Sequence, residues 1–228
     1  MNSFIPIRVV PLLTINDSND HFLYVSKPLL LKWKLQLNST ITICVGKHHM
    51  SLEVREYESN DPLILLSNRF FEESYLPIQS YTFYSYFIYT TQTLHLAPLI
   101  GLLTEVNEDD LENPNFRSIH SFSEELEHVT NHLGGFFYVF SIQSMTEEYI
   151  TGFYNQNGKW CKARLPIPDV IYNRIHSRKL ESSTLFHQFR KQIQLSHIRM
   201  FNDRFLSKWE VYDVLLTEEH LRTYIPST

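Results

Sequence analysis

The chain has 228 residues, 43% of them hydrophobic, enough for one large domain or two small ones around a substantial buried core. Its formal charge is −5, and its 20 lysines and arginines are thinly spread, which argues against the basic footprint of a nucleic-acid partner. Apolar runs fall far short of the roughly 20 residues that cross a bilayer, and residues 1–11 lack the marks of a signal peptide, so a cytoplasmic protein without membrane insertion is expected.

Residues 4–93 read as short strands with few helical signals, a β-rich module. The stretch 41–45 (ITICV), Gly46, Lys47 and the alternating 50–56 (MSLEVRE) predict a hairpin with one buried face. Asp61 and Pro62 punctuate the next turn. Ser67 and Asn68 predict the cap of a short helix that Pro77 ends, and 81–89 returns to strand alternation. At 96–103 (LAPLIGLL) a nearly continuous apolar run predicts a strand buried on both faces and the start of a second module. The acidic stretch 105–112 reads as a solvated loop. Ser121 and Glu124 then predict a capping box for a helix with Phe122, Leu126, Val129 and Leu133 on one face, stopped by Gly134 and Gly135.

A strand follows over 135–142, and the Asn155, Asn157 and Gly158 turn joins strands 149–154 and 159–164 into a hairpin. Residues 169–172 predict another strand. Ser182 or Ser183 caps a helix through Gln192, 197–201 is one more strand, and Asn202 and Asp203 open a last helix holding Phe205, Trp209, Tyr212 and Leu216. Strands alternating with helices predict a mixed α/β fold: a β-rich module over 1–93, then an open α/β domain over 94–228 with parallel pairing across each helix. Cys44 and Cys161 both fall in predicted strands and read as reduced thiols rather than a disulfide framework.

In open α/β sheets, ligands collect at the carboxyl ends of strands, where chain reversals leave amides and helix starts facing a crevice. Two stretches fit. Asn173, Arg174 and Arg178 follow the strand 169–172, and arginine offers a planar donor fork suited to carboxylate or phosphate. Lys208 sits where the strand 197–201 hands over to the last helix, near amides that favour an anion. The plainer alternatives are local ion pairs or carbonyl caps for the arginines, and a solvated Lys208 with Trp209 in the core. No Walker-A loop, G-x-S-x-G elbow, H-E-x-x-H motif or cysteine pair at metal spacing occurs. His48 and His49 lie in the predicted hairpin turn, where neighbouring strand side chains diverge; His128 and His132 share a helix face without a third ligand. No metal site is predicted.

The strings 168–178 (PDVIYNRIHSR), 201–210 (FNDRFLSKWE) and 221–228 (LRTYIPST), together with 97–104 (APLIGLLT) and the helix end at Leu133, Gly134 and Gly135, closely resemble the YheC/YheD family, endospore coat-associated members of the ATP-grasp superfamily. The likeness covers 94–228, and the β-rich part is consistent with it. It implies a pre-ATP-grasp-like domain over 94–228, with ATP and Mg used by the full-length family in an activity like that of ATP-dependent carboxylate-amine ligases. The order Asn202, Lys208 and Pro226-x-Thr228 is similar to the pre-grasp exit of ligases such as glutathione synthetase. The resemblance thereby marks Lys208 for the ATP phosphates and Asn173, Arg174, Arg178 and Asn202 for the substrate or phosphate side of a cleft. The nucleotide-clamping lobes would follow Thr228, so the chain by itself is not expected to bind ATP or Mg tightly or to catalyse ligation, and no catalytic residue is assigned. Spore coat proteins or a separate ATP-grasp domain are the expected partners, in a cytoplasmic, coat-associated setting. A reading from another class makes the chain a noncatalytic interaction module in coat assembly, its surface aromatics meeting protein partners.

Overall fold

Alternating apolar side chains close the first part of the chain into a barrel. In the computed structural model, which describes residues 4–12, 21–106, 114, 116–204, 206–221 and 224, seven strands contribute to it. They are β1 (Ile5–Pro11), β2 (Phe22–Ser26), β3 (Thr40–Val45), β4 (His48–Tyr57), β5 (Leu63–Leu66), β6 (Tyr81–Ile88) and β7 (Thr93–His95). Around the barrel they run β1-β5-β2-β4-β3-β7-β6, and antiparallel pairing of β6 with β1 completes the closure. The period-2 pattern turns Ile7 and Val9, Leu23 and Val25, Ile41 and Ile43, and Leu52 and Val54 inward, all buried. Two short helices lie among the strands. One of them, α1 (Lys27–Trp33), has Pro28 at its start, a position that tolerates proline because the amide it lacks would be unpaired there anyway. It packs Trp33 on Phe87 at a ring distance of 5.8 Å. The other, α2 (Asn68–Glu73), starts as expected, with the Ser67 hydroxyl accepting from the Phe70 amide.

The β3–β4 hairpin turns on Gly46 and Lys47, with φ of +55° at the glycine. A positive φ at the first central position is what a two-residue II′ turn needs. His48 and His49 are thus the first two residues of β4 rather than turn residues.

The second sheet has the order β11-β10-β9-β8-β12-β13. Its strands are β8 (Leu99–Leu103), β9 (Phe136–Met145), β10 (Tyr149–Gln156), β11 (Lys159–Pro166), β12 (Val170–Asn173) and β13 (Arg199–Phe201). The pairs β9–β8, β8–β12 and β12–β13 are parallel, and β10 and β11 extend the sheet as an antiparallel hairpin. Asn157 and Gly158 both take positive φ in that hairpin's turn, the combination an I′ turn requires. The mixed α/β expectation holds, with parallel pairing across each crossover.

Two crossover helices cover opposite faces of the sheet. Between β8 and β9 runs α3 (His120–Leu133), and between β12 and β13 run the single turn α4 (Arg178–Glu181) and α5 (Thr184–Leu195). Alternation along β9 divides its side chains between the faces. Phe136, Tyr138 and Phe140 join the large core shared with the barrel and with Phe186 and Phe189 of α5; Phe137 and Val139 join a smaller core with Phe116, Ile119 and Trp160, against which Phe122 and Leu126 of α3 pack. Barrel and sheet meet directly, Tyr81 lying against Phe136 at 5.4 Å and the Tyr84 amide donating to the Gly134 carbonyl at 2.9 Å.

Three local expectations are corrected. No capping box starts α3: a 3-10 turn at Arg117–Ile119 leads into it, Ile119 is its N-cap without a side-chain bond, and Ser121 lies inside the helix. Its inward face is Ser123 and Thr130, whose hydroxyls donate to the carbonyls four residues back, while Val129 and Leu133 are 49% and 67% exposed. The small residues let the helix approach the sheet closely, which apolar periodicity alone does not reveal. The last helix, α6 (Lys208–Thr217), begins after Ser207, not at Asn202, because Ser207 and Glu210 form the capping box. The loop at 107–113, Phe205 and the string at 225–228 lie outside the described residues. Cys44 and Cys161 are free thiols. Among the described residues no helix is long and apolar enough to cross a membrane.

Asp169 joins β8 to β12: its Oδ2 accepts from the Leu99 amide at 2.8 Å, and its own amide donates to the Leu99 carbonyl at 2.9 Å. Burial pushes its carboxyl above the ordinary value of 3.8, against the opposing pull of the Leu99 amide. A raised acid pKa means the folded chain holds the proton more tightly than the unfolded chain. The stabilisation is therefore complete in acid and lost as pH rises through the folded value. Urea unfolding of the native protein and of Asp169→Asn across the acid range is expected to show the native protein losing stability relative to the variant as pH rises toward neutrality. Parallel curves would show that this carboxyl does not titrate abnormally.

Candidate functional site

The chain leaves β8 for α3 on one face of the sheet and leaves β12 for α5 on the other, so the carboxyl ends of these adjacent parallel strands diverge. Such a switch point leaves a crevice at the sheet's edge. Arg174 stands in it. Its amide donates to the Leu103 carbonyl at 2.8 Å, and its own carbonyl accepts from the Thr104 hydroxyl at 3.2 Å, which locks the β12 exit onto the β8 exit. Its guanidinium lies over two rings, 5.1 Å from the Phe122 centroid and 5.9 Å from that of Tyr172. Cation–π stacking fixes the plane of the fork without using its N–H donors. Nε is buried and has no hydrogen-bond partner, an unmet donor that is costly inside protein.

Asn173 is 2% exposed, and its Oδ1 accepts from the Ile175 amide, so its side chain shapes the turn. Asn202, just after β13, takes φ of +53° and donates from Nδ2 to the Asn173 carbonyl at 3.0 Å, tying the two neighbouring strand exits together. Glu105 braces the same loop from β8, its Oε2 accepting from the His176 and Ser177 amides at 3.2 and 3.3 Å. Arg178 is exposed at the first position of α4, which Ser177 caps. Asn173, Arg174 and Asn202 therefore form one cluster. Lys208 opens α6 beyond it, exposed, and among the described residues no hydrogen bond or ion pair joins it to that cluster.

The α6 start is already supplied with negative charge. Ser207 accepts from the Glu210 amide, and Glu210 accepts from the Ser207 amide at 2.7 Å and from Arg204 at 2.5 Å. The Ser207 amide, with Arg204 beside it, holds the Glu210 carboxyl at about 2. What Lys208 offers an anion is thus its ammonium, with fewer free amides around it than the sequence implied. Trp209 is not a core residue: it is 69% exposed, and α6 buries no side chain.

The aromatic contacts of Arg174 escaped the reading from sequence, in which Phe122 was only a core position. Phe122 and Arg174 are 52 positions apart, and no local pattern signals their meeting. Among the described residues no three His, Cys, Asp or Glu side chains converge as a metal site.

No family model matches the sequence. Among curated proteins, the chain is 29% identical over 202 residues to endospore coat-associated protein YheD of Bacillus subtilis (strain 168). Over most of its length the chain is thus similar to a protein of the YheC/YheD family. The match takes in 87% of this chain and 44% of YheD, so the chain spans less than half the length of that relative. With 202 residues matched, the likeness runs well past the 94–228 region whose strings first carried it.

Proposed function

We propose that this chain forms the amino-terminal part of an endospore coat-associated ATP-grasp protein, its switch-point crevice supplying one wall of a nucleotide and substrate cleft. The observation that carries this reading is Arg174, resting against Phe122 and Tyr172 with a buried, unpaired Nε at the carboxyl edge. A fork held this way is preorganised for a planar carboxylate or a phosphate. Arg174 takes the first anionic contact, Lys208 adds a point charge toward the ATP phosphates, and Arg178 lines the same exit. Asn173 and Asn202 hold the strand ends in register beneath them. The family name of the relative motivates coat association, and coat proteins or a nucleotide-clamping domain are the partners in this reading. ATP, when bound with Mg, supplies the phosphoryl group that activates a carboxylate for attack by an amine. No metal ligand is assigned to the described residues.

Calorimetric titration with Mg-ATP tests the reading. Binding heat is expected, with Arg174→Ala and Lys208→Ala each weakening affinity about tenfold, the worth of one charge-assisted contact. No heat at millimolar nucleotide, or unchanged affinity in both variants, overturns it. A second reading rests on α6, where Trp209 and Val214 stand 69% and 59% exposed on a helix that buries nothing. This makes the chain an interaction module whose self-association or partner binding is independent of nucleotide. Sedimentation of native and Trp209→Ser chains with and without Mg-ATP separates the two.

A further inference from the structure

A second concave site lies at the opposite edge of the parallel sheet. A cleft of about 550 Å³ opens between the barrel and the amino ends of β8, β12 and β13, within the size range of small-molecule sites. Strands of four or five residues at about 3.3 Å each keep it roughly 13 Å or more from the Arg174 crevice, so it stands apart from the nucleotide reading.

One wall is flat and aromatic. Tyr86 of β6 and His95 of β7 are cross-strand neighbours whose rings stack at 4.6 Å and 3°, and Phe4 leans on Tyr86 at 4.9 Å. Two cations line the cleft as well. Lys47, in the β3–β4 turn, donates from Nζ to the neutral Ser196 hydroxyl at 2.8 Å. Arg199 is exposed at the start of β13. Neither of these cleft charges forms an ion pair among the described residues. The acidic group there, Asp169, already accepts the Leu99 amide.

We infer that this cleft binds a small organic anion bearing a planar ring, its carboxylate meeting Lys47 and Arg199 and its ring lying on the Tyr86 and His95 stack. Unpaired cations beside an aromatic surface recognise charge and shape together. The apolar positions Leu96, Pro98 and Pro168 close the rest of the lining. The two sets of groups come from both halves of the fold, so the site exists only once barrel and sheet have docked.

Benzoate is the probe. Titrated into the isotope-labelled full chain and followed by amide NMR, it is expected to shift Gly46, Lys47, Val170 and Arg199 and to leave Thr104 and Arg174 unmoved. Lys47→Ser and Arg199→Ser, both at exposed positions, should each weaken binding about tenfold, and Tyr86→Ala should weaken it as well. Acetate, which lacks the ring, and benzylammonium, which reverses the charge, should bind more weakly than benzoate. The inference is overturned by absence of shifts at tens of millimolar benzoate, by equal binding of benzylammonium, by unchanged affinity in both charge variants, or by shifts confined to the carboxyl edge. Spectra of the free variants establish that each retains its fold.

Discussion

Gly46→Ala is expected to destabilise the chain by about 3 kcal/mol or more, the sum of a left-handed conformation forced on a residue with a Cβ and a backbone clash. A Cβ at this position would come within 2.2 Å of the Ile167 carbonyl oxygen and 3.2 Å of a Leu99 methyl, with φ at +55°. Ile167 belongs to the short link between β11 and β12 and is itself 1% exposed, so the obstructing atom is held backbone and not a flexible side-chain tip. The β3–β4 turn therefore seats on the second sheet only because nothing projects from residue 46. For a chain of this size the loss corresponds to a drop in Tm of about 10 °C. Thermal unfolding by circular dichroism measures it, and a shift within about 2 °C would show that the turn and the sheet separate freely. The same substitution should disturb the cleft beside Lys47, so its effect on benzoate binding is not a test of that site.

Phe140→Ala is the second large effect, expected at about 3–5 kcal/mol, out of a total stability of about 5–15 kcal/mol for most domains. Phe140 is 0% exposed in the middle of β9, where its ring meets Tyr138 at 6.3 Å and Phe189 of α5 at 6.4 Å. It also covers Gly101 of β8, whose missing side chain leaves the room: a Cβ there would stand 2.9 Å from the Phe140 ring. Removing the ring opens a cavity bounded by two strands and a helix, which cannot all collapse inward together. Urea unfolding gives the number from a shift in midpoint at constant slope. Phe140→Leu should recover most of the loss. A cost below about 1 kcal/mol would mean that α5 does not depend on this contact.

These two positions show which parts of the molecule local pattern reaches. Hairpins were legible because their signals are short: Gly46 with Lys47, and Asn157 with Gly158, sit between alternating strands, and their positive φ values are local steric demands. The cap at Ser67 was legible for the same reason. The capping box placed on Ser121 and Glu124 was not realised, since Phe116 and Ile119 are drawn into the core and pull the chain into a 3-10 turn first. The same residue pair at Ser207 and Glu210 did form a box, on a helix with no core contact to override it. Local preference decides where packing is silent.

The carboxyl-edge residues divide in the same way. That Asn173, Arg174 and Asn202 follow strands was readable from the apolar runs preceding them, and so was the expectation that they share one sheet edge. Their pairing as neighbours was not, because it depends on strand order, and order is set by which apolar faces find each other across the whole chain. The amino-acid sequence by itself determined the mixed α/β class, the positions of most strands and the two tight hairpin turns, because each is written in spacing a few residues long. Only the tertiary structure decided that the first seven strands close into a barrel, that β8 and β12 lie side by side at a switch point, and that Arg174 rests against Phe122 and Tyr172. Those outcomes rest on contacts between residues many tens of positions apart, whose energy comes from buried surface that no local window contains.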